Sequence, residues 1–223
     1  MKPQNEILPV TRSKQQARAS YDKLSRWYDL LAGIAEWKYK KAGLSMLNAQ
    51  PGEQLLEIGF GTGACLLPLA EAVGEDGAIS GIDLSSGMLA VAENKLIKAN
   101  LSKNVTLICG DAAQLPYPDG NFNALYSSFT LELFDTPEIP TVLAECLRVL
   151  RPDGRICIVA MAKSPKLNLI TRLYEWTHRN FESYADCRPI FAAKSLETAG
   201  FKVQTIQQMS MFGLPVDVVL GSK

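Results

Sequence analysis

Residues Leu55 to Ala64 read L-L-E-I-G-F-G-T-G-A, a short apolar run with one acidic residue, followed by glycine at every second position. The apolar run predicts a buried strand, and the helical spacing of apolar residues beyond Ala64 predicts a helix. Gly59, Gly61 and Gly63 allow positive φ angles in the connecting turn and let a ligand lie directly against the main chain. The stretch therefore predicts a strand, a tight turn and a helix start that together bind a nucleotide-type ligand.

The composition is that of an ordinary globular protein. The chain has 223 residues, and its 47% of hydrophobic residues is ample for a large buried core. Lys plus Arg and Asp plus Glu both number 23, so no overall charge attracts the chain to nucleic acid. The N-terminus has no apolar signal segment, no window has the run of about 18 apolar residues that a membrane span needs, and the cysteines form no C-x-x-C pair. We expect a cytoplasmic protein with free thiols, without a membrane span and without a nucleic-acid partner.

Strand and helix patterns alternate five times along the chain, with short connections. This alternation predicts an α/β fold in which a parallel sheet is covered by helices on both faces. Acidic or hydroxyl residues end or follow four of the strands, at Glu57, Asp83, Asp111 and Ser128. Because ligands bind beyond the carboxyl ends of such strands, these residues should share one site. Two β-rich segments at the C-terminus predict an antiparallel hairpin at the sheet edge.

The domain organisation is expected to have three parts: a flexible arm over residues 1–18, a helical cap over 19–50, and a ligand-binding domain over 51–223. The apolar residues of the cap, among them Trp27 and Tyr28, recur at three and four positions, which predicts a helix that either packs on the domain or covers a ligand. An aromatic-rich connection of about residues 163–190 is long, and long connections are typical of lids and binding loops.

Two ligand templates fit the glycine turn. Gly59-x-Gly61-x-x-Ala64 matches the dinucleotide fingerprint, and Glu57-x-Gly59-x-Gly61-x-Gly63 matches the S-adenosylmethionine (SAM) loop of Rossmann-like methyltransferases. A short-chain oxidoreductase would need a Tyr-x-x-x-Lys pair, and none of the seven tyrosines has a lysine four residues later. SAM is a cation without phosphate, so it needs carboxylates and backbone groups more than a basic pocket. The residues favour SAM over a nicotinamide dinucleotide.

Five motifs, in order, resemble the class I SAM-dependent methyltransferases, in the branch of the quinone-biosynthesis C-methyltransferases and related small-molecule and phospholipid N-methyltransferases. They read Y-D-K-L-S-R-W-Y-D, L-L-E-I-G-F-G-T-G, G-I-D-L-S-S-G-M-L, C-G-D-A-A-Q-L-P-Y-P-D-G-N-F-N and E-C-L-R-V-L-R-P-D-G-R. The resemblance covers roughly Tyr21 to Phe201. It implies a Rossmann-like three-layer sandwich with a seven-stranded, mostly parallel sheet and an antiparallel terminal hairpin. It also implies SAM as methyl donor and S-adenosylhomocysteine as product.

The resemblance assigns roles to the residues around the turn. The glycines should lie against the methionine portion and ribose of SAM, and Glu57 should organise the loop and face the amino group. Asp83 should accept both ribose hydroxyls, with two apolar residues after it packing on the adenine. Asp111 and Ala112 should bind the adenine amine and a ring nitrogen, and Ser128 should make a polar contact near the sulfonium. The expected cofactor-binding residues are Glu57, Gly59, Gly61, Gly63, Asp83, Leu84, Met88, Asp111, Ala112 and Ser128.

Catalytic groups are harder to assign, because methyl transfer is an in-line displacement that needs mainly alignment of the reactants at about 3 to 3.5 Å. The candidates are Tyr21 and Tyr28, whose rings would attract a sulfonium, and His178, the only histidine, as a base. No aspartate cluster suggests a metal, and the N/D-P-P-Y/F signature of amide and nucleobase N-methyltransferases is missing.

These features favour a small, partly apolar acceptor: a quinone precursor, a lipid head group or a metabolite. The alternatives are a SAM-binding module without turnover and an NAD-dependent oxidoreductase.

Overall fold

The structure is a computed structural model that describes residues 7, 9–10, 12–25, 33–163 and 188–223. The strands in these ranges are β1 (Gln54–Ile58), β2 (Ala78–Asp83), β3 (Val105–Cys109), β4 (Phe122–Ser128), β5 (Leu150–Met161), β6 (Lys202–Met211) and β7 (Leu214–Ser222). The α-helices are α1 (Lys14–Leu24), α2 (Ile34–Leu47), α3 (Leu66–Val73), α4 (Ser86–Lys98), α5 (Ile139–Val149) and α6 (Ala192–Thr198), and a 3₁₀ turn spans Leu131–Leu133.

The seven strands form one sheet in the order β3-β2-β1-β4-β5-β7-β6. Strands β1 to β5 are parallel, and β7 runs antiparallel between β5 and β6. The predicted fold, including the terminal hairpin, is therefore confirmed. Successive strands are added on one side of β1 up to β3 and on the other side from β4 onward. This reversal opens a crevice beyond the carboxyl ends of β1 and β4, where ligands of such sheets bind.

Each face of the sheet carries its own hydrophobic cluster. Leu55 belongs to the cluster beneath α2, α3 and α4, whereas Leu56 and Ile58 belong to the cluster beneath α5 and α6. Side chains alternate between the two faces of a strand, so Glu57 lies on the same face as Leu55. Its carboxylate therefore faces the side of the sheet that α2 covers.

Helix α2 lies unusually close to the sheet. A Cβ atom placed on Gly43 would be 2.5 Å from Val159 Cγ2, so only glycine permits this approach. The last turn of α2 is held by Arg155, whose Nε donates to the Leu47 main-chain oxygen at 2.7 Å and whose guanidinium pairs with Glu53 at 2.7 Å. These contacts fix α2 against β5 and β4.

Two boundaries differ from the sequence-based expectation. Helix α1 begins at Lys14 instead of Ala19, because Ser13 and Gln16 form a capping box at its start. Residues 14–18, expected to lie in a flexible arm, are thus helical. Strand β5 begins at Leu150 and runs through residues 151–154, R-P-D-G, whose residue types are typical of a turn; the register with β4 is irregular there.

The apolar face predicted around Trp27 and Tyr28 and most of the 163–190 connection lie outside the described residues. None of the described helices has the length and apolar character needed to cross a membrane.

Candidate cofactor site

A cavity lies at the carboxyl edge of β1, β2 and β4, with α1 across it, and holds about 1170 Å³ of empty space including its open mouth. A concave, open cavity at this edge of a parallel sheet is the usual position of a ligand site. Nine of the ten expected cofactor residues line the cavity, so these sequence-distant positions lie together, and their contacts with SAM stay predictions. The nine residues are Glu57, Gly59, Gly61, Asp83, Leu84, Met88, Asp111, Ala112 and Ser128.

The three glycines of the turn have different surroundings although all have positive φ angles, of 70°, 53° and 81° in chain order. A Cβ on Gly59 would be 2.2 Å from Thr130 Oγ1, because the end of β4 presses on the turn. A Cβ on Gly61 would meet no protein atom within 4 Å, since it would enter the cavity. Gly63 does not line the cavity, and a Cβ there would be 3.0 Å from Ala92 Cβ. Gly63 thus packs closely against α4, and its expected contact with SAM stays a prediction.

The backbone N–H groups of these glycines already have acceptors within the protein. Gly59 N donates to Ile82 O at 2.8 Å, Gly61 N donates to Asp83 Oδ2 at 2.8 Å, and Gly63 N donates to Phe60 O at 2.9 Å. A pyrophosphate-binding turn instead directs its N–H groups at the ligand. In this turn, Gly61 leaves open main-chain surface for a ligand, but the glycine N–H groups are already used within the protein. This arrangement agrees with a ligand that carries no phosphate.

Glu57 is the most deeply buried carboxylate of the cavity wall, with 1% of its surface exposed. Among the described residues, its Oε2 atom has no hydrogen-bond partner. Burial raises the pKa of Glu57 well above the ordinary value, the nearby Lys40 lowers it, and the charge of Asp83 adds to the increase. A buried carboxylate oxygen without a donor is costly, so this position is suited to a ligand that brings a cationic N–H group.

Asp83 anchors the turn and the start of α4. Its Oδ2 atom accepts from Gly61 N at 2.8 Å, and its Oδ1 atom accepts from Ser85 N at 2.9 Å. Burial raises the pKa of Asp83, and the charge of Asp22 acts in the same direction. Each carboxylate oxygen can accept a second hydrogen bond, so the expected ribose contact stays a prediction that fits this geometry.

Asp111 is held by a cation that sequence analysis did not assign to the site. Lys14 Nζ lies 2.5 Å from Asp111 Oδ2 and 2.7 Å from Glu138 Oε1, and Asp111 Oδ1 accepts from Ala113 N at 3.0 Å. The adenine contact expected of Asp111 therefore has to share the carboxylate with Lys14. Lys14 lies 97 positions from Asp111 in the chain, so no local pattern indicates the pair.

Helix α1 docks over the cavity through polar contacts, and none of its residues is buried. At its C-terminal end, Asp22 Oδ1 accepts from Ser85 Oγ at 2.6 Å and from Gly87 N at 2.8 Å. Partial burial alone would raise the pKa of Asp22, but these hydrogen bonds lower it below its ordinary value. Lys14 and Asp22 thus fasten the two ends of α1 to opposite sides of the cofactor cavity.

Of the three catalytic candidates, the structure describes only Tyr21, which lines the cavity from α1 with the Arg12 guanidinium 6.0 Å from its ring centroid. Tyr28 and His178 lie outside the described residues. The cavity wall also contains Cys65, but burial raises the pKa of its thiol to about 12, which makes it unsuitable as a nucleophile at neutral pH. The described residues contain no group of three or more side chains placed to hold a metal ion.

Phe129, directly after β4, has a φ angle of 51°. Left-handed backbone is unfavourable for a bulky residue, and such strain is concentrated at functional sites. Its N–H donates to Val159 O at 2.8 Å, and its ring packs edge-on against Tyr39, with 6.4 Å between ring centroids. These contacts hold an aromatic ring in the wall beside Ser128, a feature that local sequence does not indicate.

Comparison with known proteins agrees with this geometry. The family model described as a methyltransferase domain matches residues 55–154. A demethylmenaquinone methyltransferase from Geobacillus stearothermophilus is 34% identical over 170 residues, which cover 74% of this chain and 71% of that relative. A solved SAM-dependent methyltransferase from Aquifex aeolicus is 23% identical, with a TM-score of 0.65 over 92% of this chain and 97% of that one. The solved [4+2]-cyclase SpnF is 20% identical, with a TM-score of 0.75 over 98% of this chain and 99% of that one.

The fold, the glycine turn and the acidic cavity wall define a class I SAM-dependent methyltransferase. Within that class, the chain belongs to the quinone-biosynthesis branch, the family that includes the demethylmenaquinone methyltransferases. The identity to SpnF is too low to indicate more than a shared fold, and one fold can carry different reactions.

Proposed function

We propose that the chain binds SAM in the cavity at the carboxyl edge of the sheet and transfers its methyl group to a small, partly apolar acceptor of the quinone-precursor type. The observation that carries the proposal is Glu57, a buried carboxylate with an unpartnered oxygen in the cavity wall beside the glycine turn. The methionine end of SAM brings an ammonium group, which supplies the donor that this oxygen lacks.

The charge of the cavity wall fits a cationic cofactor. Five carboxylates line it, against three basic side chains, so the wall has an excess of negative charge. The carboxylates belong to Glu57, Asp83, Asp111, Asp135 and Glu138, and the basic groups to Arg12, Lys14 and Lys40. A dinucleotide carrying phosphates would be repelled by this excess, whereas a sulfonium compound is attracted.

SAM, when bound, supplies a methyl group activated by its positively charged sulfur. The protein's part is to position this donor and to exclude water. Asp83 orients the ribose, with its own carboxylate held by Gly61 and Ser85, and Glu57 holds the ammonium end. Helix α1, fastened by Lys14 and Asp22, covers the nucleoside. A donor fixed at both ends presents its methyl group in one direction, which is the main requirement of an in-line transfer.

The quinone-type acceptor is proposed on two grounds. The relative with 34% identity is named for demethylmenaquinone, an apolar quinone precursor. The wall beyond β4 is correspondingly apolar, with Phe129, Leu133 and Phe134 lining it. A charged or strongly polar acceptor would lose hydration against these side chains without compensation.

The experiment is an acceptor panel assayed by S-adenosylhomocysteine formation. The wild-type chain is incubated with SAM and, separately, reduced quinone precursors, phenols of small metabolites and lipid head-group amines. We expect acceptor-dependent product with the quinone precursors, above the level without acceptor. Product with head-group amines alone would refute the acceptor class, and SAM binding without product on any acceptor would favour a SAM-binding module without turnover.

A further inference from the structure

The methionine end of the cavity contains a buried ion pair supplied by α2. Lys40 Nζ lies 2.8 Å from Glu36 Oε2, one helical turn away, and both side chains are only 11% exposed. Lys40 lines the cavity, and its charge lowers the pKa of Glu57 and of Cys65 against the effect of burial. The ammonium of Lys40 is thus close to the carboxylate proposed to hold the amino group of SAM.

A methionine tail carries its ammonium and its carboxylate on the same carbon atom. A site that binds the ammonium at Glu57 must therefore also accommodate the carboxylate a few ångströms away. Beside side chains as deeply buried as Glu57 and Lys40, a carboxylate without a cation or several N–H donors would be strongly unfavourable. The site needs a second, positively charged contact beside Glu57.

The turn glycines and the other basic side chains of the cavity wall are less suited than Lys40 to contact a carboxylate beside Glu57. The N–H groups of the three turn glycines already donate to Ile82, Asp83 and Phe60. Of the remaining basic groups in the cavity wall, Lys14 bridges Asp111 and Glu138, and Arg12 lies over the Tyr21 ring. Both belong to the α1 side, where the nucleoside is expected. Lys40 is the basic group of the wall that lies beside Glu57.

We propose that Lys40 binds the carboxylate of the methionine tail of SAM, with Glu36 holding the lysine in position. The inference rests on the proposed function and assigns one more residue to the cofactor site. An ammonium group has three N–H donors, so Lys40 can contact Glu36 and a ligand carboxylate together. Glycine at Gly43 lets α2 lie directly on β4 and β5, and the Tyr126 hydroxyl donates to the Lys40 main-chain oxygen at 2.9 Å. These contacts hold the main chain of Lys40, and the ion pair with Glu36 holds its ammonium group.

The ligand-side test needs no variant. Wild-type protein is titrated calorimetrically with SAM and with decarboxylated SAM, which keeps the sulfonium, ribose, adenine and ammonium but lacks the carboxylate. We expect decarboxylated SAM to bind about 10- to 100-fold more weakly, the effect of losing a charge-assisted hydrogen bond. Equal affinity for the two ligands would overturn the proposal. Failure to bind either ligand would refute the proposed function itself and is therefore a distinguishable result.

The protein-side test uses Lys40→Met, with Lys41→Met as a control that removes the same charge from an exposed position of the same helix. Lys40→Met should lose about 10- to 100-fold in SAM affinity while binding decarboxylated SAM nearly as wild type does, so the preference between the ligands disappears. Lys41→Met should keep the wild-type preference, and Lys40→Arg should restore most of it. A Lys40→Met variant that weakens both ligands equally would show that Lys40 acts only through Glu57, and would overturn the proposal.

Removing Lys40 leaves Glu36 buried without its ion pair, which can impair folding. The double variant Glu36→Gln with Lys40→Met removes both charges and keeps similar side-chain volumes. It should show the same loss of preference between SAM and decarboxylated SAM. A double variant that folds and still prefers SAM would overturn the proposal.

Discussion

Replacing Asp83 with alanine should weaken SAM binding about 10- to 150-fold. The Asp83 carboxylate is held in one orientation by Gly61 N at 2.8 Å and Ser85 N at 2.9 Å, and it lines the cavity. A hydrogen bond from a ribose hydroxyl to a charged acceptor contributes about 1.5 to 3 kcal/mol, which corresponds to that range of affinities. Because the two backbone bonds are also lost, the variant should be less stable by about 1 to 3 kcal/mol.

Asp83→Ala removes the acceptor of the ribose hydroxyl and also the bonds that hold Gly61 and Ser85. A double cycle with a ligand analogue separates these two contributions to the loss of affinity. Wild type and Asp83→Ala are titrated with S-adenosylhomocysteine and with its 2′-deoxy analogue. In the wild type, removing the 2′-hydroxyl should weaken binding about tenfold. In Asp83→Ala, which has already lost the acceptor, removing the hydroxyl should have little further effect on affinity. Asp76→Ala is the matched control, since Asp76 is exposed in the connection between α3 and β2, at the opposite edge of the sheet.

Two results would refute this role for Asp83. One is unchanged affinity in a variant whose circular dichroism and thermal unfolding show that it is folded. The other is a 2′-deoxy penalty of equal size in wild type and variant, which would mean that the ribose is bound by other groups. Either result would leave Asp83 only the task of holding Gly61 and Ser85.

Three further predictions concern the turn, Glu57 and α1. Gly61→Ala should fold with a loss of about 1 to 2 kcal/mol from its positive φ angle, yet lose more than about 100-fold in SAM affinity, because the added methyl group enters the cavity; a wild-type dissociation constant would disprove this. The pKa of Glu57 is raised by burial, so the folded protein keeps a proton that the unfolded chain releases, and stability falls as pH rises from about 4.5 toward the raised pKa. Glu57→Gln removes this titration, so urea unfolding should show greater stability at neutral pH with a flatter pH profile, and parallel profiles for the two proteins would contradict it. Asp22→Ala removes an external cap of α4 at Gly87 and should destabilise the docking of α1 by about 0.5 to 2 kcal/mol; hydrogen exchange of the Lys14–Leu24 amides should accelerate, and unchanged exchange would exclude this contact as a fastening point.

Features with a local cause were predictable from the sequence. β2 ends at Asp83, and Ser85 caps α4 by accepting from Met88 N at 3.1 Å, as the residue types indicate. The same kind of signal, the capping box of Ser13 and Gln16, marks the start of α1 at Lys14 and could have corrected the expected boundary. Strand ends and caps depend on a few adjacent residues, so they can be identified without the tertiary structure.

Features caused by contacts between distant segments were not predictable. Lys40 lies in the sequence W-K-Y-K-K, which is typical of a solvated helix face. It is buried because α2 lies directly on the sheet, a close approach that Gly43 permits. The three glycines of the turn appear equivalent in sequence, yet Gly61 faces the cavity while Gly63 packs on Ala92. Such differences depend on which elements approach each residue, and periodicity does not contain that information.

The most direct test of the account is to follow a labelled methyl group. Wild-type chain is incubated with SAM labelled at its methyl group and a reduced demethylated quinone precursor, and the lipid-extractable product and S-adenosylhomocysteine are quantified together. We expect label to appear in the methylated acceptor in an amount equal to the S-adenosylhomocysteine formed, and we expect Gly61→Ala to form neither product. Saturating SAM binding with no label in any acceptor of the panel would contradict it.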